Sequence, residues 1–74
     1  MINIQDIIPF MRKGWVAMDK DGEWCWFEEK PMKSVCDDMW VRMNPCDFQR
    51  INAIFDIAPA DDWTKSLIQV KGVK

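Results

Sequence analysis

Two apolar runs separated by a polar turn constrain the fold of this chain more than any other feature. The runs are Trp15–Met18 and Trp24–Phe27, and the segment between them, Asp19–Gly22, is polar and ends in glycine. This pattern predicts a β-hairpin whose turn places Gly22 in the left-handed region, which glycine enters without a steric penalty. The register expected for such a turn pairs Trp15 with Phe27, Val16 with Trp26, Ala17 with Cys25, and Met18 with Trp24.

Both faces of this hairpin are apolar. Side chains alternate between the two faces along a strand. One face therefore carries Val16, Met18, Trp24 and Trp26. The opposite face carries Trp15, Ala17, Cys25 and Phe27. One of these faces can form the core of a small protein, and the other then needs a covering helix, a binding partner or exposure to water.

The length and composition predict a single domain that spans residues 1–74. A chain this short buries only about 60% of its unfolded surface, so its core must be rich in apolar groups. Apolar residues make up 49% of the sequence and include five Trp, four Phe and six Met. This composition indicates a globular protein that requires neither a disulfide nor a bound metal, and we expect no cofactor.

The charge pattern disfavours binding to nucleic acid. The net charge is −2, and the Lys and Arg residues are scattered singly except at Arg12 and Lys13. A nucleic-acid-binding protein usually has a basic stripe on its surface. We therefore expect a protein partner or self-association instead.

The sequence also predicts a cytoplasmic location. The N-terminal apolar run contains Asp6 and Pro9, unlike a signal peptide. No apolar segment approaches about 18 residues, the length of a membrane span. Cys25, Cys36 and Cys46 are odd in number and lack the spacing of a paired motif, which favours free thiols in a reducing compartment.

Residues 3–13 predict an N-terminal helix. Its apolar stripe consists of Ile4, Ile7, Ile8 and Met11. Asn3 is a suitable N-cap, and Gly14 suits the position just after the last turn. Pro9 removes a hydrogen bond within this helix, so we expect the helix to be imperfect there. The apolar stripe would cover one face of the hairpin.

Two further strands are predicted downstream of the hairpin. In the segment Met39–Met43, the side chains of Met39, Val41 and Met43 would lie on one face of a strand and those of Trp40 and Arg42 on the other. This alternation predicts the third strand. Residues 46–58 are ambiguous, since the spacing of their apolar residues fits a helical face and the pattern of Ile51–Ala58 also fits a strand. We assign Ile51–Ala58 as the fourth strand.

The C-terminal part is predicted to be short and irregular. Residues 61–67 resemble an acid-capped helical turn that places Trp63 and Leu67 on the sheet, and Lys71–Lys74 is expected to fray. Together these segments predict an α+β fold. In it, an N-terminal helix packs on an antiparallel sheet of about four strands, and a short helical turn follows at the C-terminal end.

Catalysis and metal binding are both disfavoured by the residue types present. The sequence contains no histidine, which removes Ser-His-Asp and Cys-His catalysis and the common zinc motifs. A domain this small offers little depth for a pair of carboxylates with shifted pKa values. Cys25, Cys36 and Cys46 lack the paired spacing of a structural zinc site. We therefore expect a protein that is not an enzyme and has no metal site.

The five tryptophans carry the main functional signal. They cannot easily all be buried in so small a domain, and exposed tryptophans commonly anchor protein interfaces. The predicted binding residues lie together on one hairpin face and are Trp24, Trp26, Met18 and Val16. Either a partner protein docks on this face or a second copy of the chain covers it in a homodimer. The alternative is a nucleic-acid-associated protein that stacks bases on the same strand face.

The segment GWVAMDKDGEWCWFEEKP (residues 14–31), followed by Trp40 and the ending DWTKSL, resembles a pattern in small, mostly uncharacterised phage and prophage proteins. The resemblance covers residues 10–31 and 56–68, nearly half of the chain. It implies a small accessory protein that blocks a host factor. The shared motifs are tied to no catalytic chemistry, so the resemblance assigns no site residues.

Overall fold

The computed structural model of the protein describes residues 1–72, apart from the side chain of Ala53. Its central element is the predicted hairpin, formed by strands β1 (Gly14–Met18) and β2 (Trp24–Phe27). The predicted register is confirmed for every pair, from Trp15 opposite Phe27 to Met18 opposite Trp24. Gly22 has a φ of 92°, which is the left-handed conformation that the turn requires.

Four further strands follow: β3 (Met32–Ser34), β4 (Met39–Val41), β5 (Phe48–Arg50) and β6 (Ile68–Val70). The main sheet is antiparallel, with the strand order β5-β2-β1-β6. β3 and β4 pair with each other in a separate two-stranded sheet. The predicted α+β fold with a four-stranded antiparallel sheet is confirmed. The outer strands of this four-stranded sheet are β5 and β6, however, and not the predicted segments 39–43 and 51–58.

The N-terminal helix is present but shorter than the predicted range 3–13. Helix α1 covers Ile4–Ile7 and continues as a 3₁₀ turn over Ile8–Phe10. The predicted N-cap is confirmed, because Asn3 Oδ1 accepts the N–H of Gln5 at 2.9 Å. Pro9 has no N–H to donate, and its ring clashes with the preceding turn of an α-helix. These two effects account for the change from α-helix to 3₁₀ turn at this point. The chain then becomes extended, so Gly14 begins β1 and does not cap the helix.

The ambiguous segment 46–58 divides into a strand and a turn. β5 ends at Arg50, and a 3₁₀ turn covers Ile51–Ala53. Asn52 Oδ1 accepts the backbone N–H of Trp24 at 2.8 Å and thereby takes the place of a backbone partner for β2. The predicted strand at Ile51–Ala58 is therefore wrong.

The predicted C-terminal turn is confirmed as a 3₁₀ turn over Trp63–Lys65. Asp62 caps it, and the hydrogen bonds from the Thr64 hydroxyl and backbone N–H hold the pKa of Asp62 below its usual value. β6 follows directly and was not predicted. The expected fraying of Lys71–Lys74 falls partly on residues 73–74, which lie outside the described residues.

Each face of the central hairpin is covered by other parts of the same chain. The face that carries Trp24 and Trp26 packs against buried apolar side chains from α1, from the segment after β5 and from β6: Ile4, Ile51, Ile57 and Val70. The opposite face packs against Trp40, with Trp63 and Leu67 beside it. The second apolar face is therefore closed by β4 and the C-terminal turn.

The small β3–β4 sheet is fastened to the hairpin by polar contacts. Asp19 Oδ1 accepts the backbone N–H of Trp40 at 2.8 Å, and the N–H of Lys20 donates to the carbonyl of Asp38 at 3.1 Å. The indole N–H of Trp40 donates to the carbonyl of Trp63 at 3.2 Å. These bonds hold Trp40 in place over the hairpin.

Replacing Ser66 with alanine is expected to lower the free energy of unfolding by about 2 kcal/mol. The buried Ser66 Oγ accepts the N–H of Met18 at 2.8 Å and donates to the carbonyl of Trp63 at 2.6 Å. Alanine leaves the N–H of Met18 buried without that partner. Urea unfolding followed by circular dichroism measures the loss. Thr64→Ala is the control, since its hydroxyl bonds the exposed Asp62 carboxylate; equal losses for the two variants would contradict this account.

Candidate docking surface

The four residues predicted to bind a partner lie in the core. Val16, Met18, Trp24 and Trp26 have exposed fractions of 0%, 4%, 2% and 5%. The indole N–H of Trp24 donates to the carbonyl of Ala58 at 3.1 Å, and that of Trp26 donates to the carbonyl of Arg12 at 3.2 Å. The prediction that this face is open to a partner is therefore wrong, because α1 and the segment after β5 cover it.

The other tryptophans do not form an open aromatic surface either. Trp40 is buried, and Trp15 and Trp63 are half-buried. Trp40 and Trp63 meet edge to face with ring centroids 6.5 Å apart. The tryptophans of this chain thus serve mainly as core residues, and an exposed apolar surface must be sought elsewhere.

Such a surface lies between the N-terminal turn and the segment after β5. Phe10, Met11, Ile54 and Phe55 border it, and we call it the Phe10–Phe55 cleft. Phe10 is 83% exposed, Ile54 62% and Phe55 40%. Large apolar side chains grouped around a concavity are a common mark of an interaction site.

The cleft consists of two adjoining cavities that share Met11 and Phe55. One has a volume of about 270 Å³ and is bounded by Ile7 and Phe10. The other has a volume of about 220 Å³ and is lined by Trp26, Ile51 and Ile54 in addition to the two shared residues. The cleft therefore offers two adjacent apolar recesses.

Local backbone structure positions the walls of the cleft. Phe10 ends the 3₁₀ turn that contains Pro9. On the other side, the carbonyl of Ile51 accepts the N–H groups of both Ile54 and Phe55 at 2.9 Å. Each wall is thus held by a tight turn and not by a long loop.

Arg12 supplies the positive charge at the cleft. Its guanidinium lies 4.2 Å from the centroid of the Trp26 ring, a favourable cation–π arrangement. It also lies 3.7 Å from the Asp47 carboxylate, but both side chains are largely exposed to water. An exposed pair of this kind contributes little to stability.

A further cavity of about 320 Å³ lies on the opposite side of the sheet, between β5 and β4. Its lining combines apolar side chains with the charged groups of Asp19, Glu23, Arg42 and Arg50. Arg50 pairs with Glu23 at 3.6 Å, and Arg42 donates to the carbonyl of Cys46 at 2.6 Å. Asp19 bonds β4 as described above, and partial burial raises its pKa. Of these contacts, the bond from Asp19 to Trp40 is the one that joins the two sheets.

The cysteines are not brought together. Cys25 is buried, Cys36 is exposed and Cys46 is half-buried. Burial raises the pKa of the Cys25 thiol to about 12, so this thiol stays protonated and is a poor nucleophile or metal ligand. In the part of the chain that the structure describes, Cys46 lies near Glu28 and Glu29, with the potential ligand atoms within 4.8 Å of one another.

No family model matches this chain, and no curated protein or solved structure is significantly similar to it. Within residues 1–72, none of the helices has the length and hydropathy that crossing a membrane requires.

The cleft was not predicted from the sequence, because the prediction of a binding surface was based on the tryptophans. A signal was nevertheless present. Phe10 falls outside the apolar stripe of the predicted helix, and Ile54 falls on the polar side of the predicted fourth strand. Large apolar residues that do not fit the periodicity of their own element are candidates for an exposed surface.

Proposed function

We propose that this chain is a non-enzymatic protein-interaction module that binds an apolar segment of another protein in the Phe10–Phe55 cleft. The observation that carries the proposal is the exposure of Phe10 and Ile54 around a two-part apolar recess. An isolated exposed apolar side chain is normal on a protein surface, whereas a contiguous group around a cleft suits a docking site.

The size of the cleft favours a short segment over a second copy of the chain. Phe10, Ile54 and Phe55 together expose roughly 350 Å², taking about 200 Å² for a fully exposed side chain. A stable dimer buries about 800 Å² on each partner. The homodimer expected from the sequence also loses its basis, because Trp24 and Trp26 are already covered within one chain.

The cellular setting is part of the same proposal. Free thiols favour the reducing cytoplasm. The resemblance to phage accessory proteins favours a host protein as the partner, with binding that blocks the partner's own function. Base stacking on the strand face is not proposed, since the rings of Trp24 and Trp26 are buried.

Selection from a random peptide library tests the proposal. Immobilised wild-type protein is expected to enrich apolar peptides, and Ile54→Ser is expected to weaken their binding by about tenfold or more, since one buried large apolar side chain contributes about 1.5–3 kcal/mol. Val35→Ser is the matched control, because Val35 is 63% exposed and Ile54 is 62% exposed. Val35 lies in the β3–β4 turn, so its replacement should leave binding unchanged.

Two results would overturn the proposal. One is a library that yields no binding peptide, or peptides that bind Ile54→Ser as well as wild type. The other is a dimer in sedimentation equilibrium that Ile54→Ser converts to monomer, because the occupant of the cleft would then be a second copy.

A further inference from the structure

We infer that Arg12 selects partners by their charge, so that the cleft takes a segment with two bulky apolar side chains next to an Asp or Glu. This inference rests on the proposed function and specifies the partner's chemistry. It is carried by the position of the Arg12 guanidinium, the charged group among the residues that line the cleft, with the Asp47 carboxylate 3.7 Å from it outside that lining.

The Arg12 side chain is preorganised for this role. The guanidinium of Arg12 is stacked over the Trp26 ring, and the backbone carbonyl of Arg12 accepts the indole N–H of Trp26. Trp26 is itself fixed in the core at 5% exposure. An incoming carboxylate therefore meets a guanidinium whose orientation is already restricted, which reduces the entropy lost on binding.

The Arg12 guanidinium also has more N–H donors than its ion pair with Asp47 uses. It carries five N–H groups in a planar fork, while its ion pair with Asp47 spans 3.7 Å between exposed side chains. A carboxylate from a partner, brought next to the apolar recesses, can accept two parallel hydrogen bonds from such a fork.

The charges of the lining specify the sign of the partner. In the described residues, Arg12 is the charged member of the set that lines the cleft, and the rest of the lining is apolar apart from Gln49. A segment with a basic residue at this point would place two cations together. The two recesses that meet at Met11 and Phe55 provide sites for the two apolar side chains.

The test uses peptides selected on the wild-type protein. Most are expected to contain an Asp or Glu beside two large apolar residues, and Arg12→Gln is expected to reduce their affinity about three- to fivefold, because the Arg12 side chain is largely exposed. Changing the peptide acid to its amide should cause the same loss, with little further loss when both changes are combined. Arg50→Gln is the matched control, since both arginine side chains are 66% exposed and ion-paired.

The outcomes separate this inference from the proposed function. If peptides bind in an Ile54-dependent way but lack acidic residues and ignore Arg12→Gln, the docking function stands and Arg12 only covers Trp26. If the two changes add independently, Arg12 and the acid do not touch and the inference is wrong. If no peptide binds, both proposals are wrong.

Discussion

Replacing Trp24 with alanine is expected to lower the free energy of unfolding by about 3–5 kcal/mol. Trp24 is 2% exposed, and its indole N–H donates to the carbonyl of Ala58. The change removes a large part of the core and also leaves that carbonyl without its partner. A domain of this size has only about 4–11 kcal/mol of stability in total, so the loss would be a large fraction of it.

Urea unfolding followed by circular dichroism measures this loss. Trp15→Ala is the control, because Trp15 is half-buried on the other face of the same hairpin and should cost less. A loss of under about 1 kcal/mol for Trp24→Ala is what an exposed binding residue would give. That result would restore the interpretation of Trp24 as an interface residue and contradict its position in the core.

Replacing Gly14 with alanine is expected to lower the free energy of unfolding by about 3 kcal/mol. An added Cβ would lie 2.5 Å from the backbone oxygen of Phe27 and 2.6 Å from Nε1 of Trp26. The backbone oxygen belongs to the neighbouring strand and cannot move without separating β1 from β2. The melting temperature should fall by about 12 °C or more.

Gly22→Ala separates this steric effect from the general cost of replacing glycine. Gly22 has a φ of 92°, but an added Cβ would meet nothing closer than Pro59 Cβ at 3.9 Å. Its replacement should therefore cost only the conformational strain, about 1 kcal/mol. Losses of similar size at Gly14 and Gly22 would show that the close approach at Gly14 is relieved by small movements.

Local features of the sequence were sufficient for the central hairpin. Its register follows from the length of the turn and from the alternation of side chains, both of which act over a few residues. The helix cap at Asn3 and the acid-capped turn within residues 61–67, where Asp62 is the cap, were predicted for the same reason. Each depends on a side chain that bonds a backbone group two positions away.

The candidate site could not be predicted in this way. Trp24 and Trp26 were expected at the surface because the sequence does not show what covers them. Ile51 and Ile57 supply that cover, and they reach the hairpin only through a strand and a turn that residues 46–58 leave ambiguous. The cleft then forms where this segment meets the N-terminal turn.

The sequence by itself determined the α+β class, the hairpin with its register, the capped start of the N-terminal helix and the short C-terminal turn. Only the tertiary structure decided which segments flank the hairpin and which apolar residues stay exposed. The physical reason is that side chains distant in the sequence complete the edges of the strands. Asn52 bonds Trp24 and Ser66 bonds Met18, and no local periodicity records such contacts.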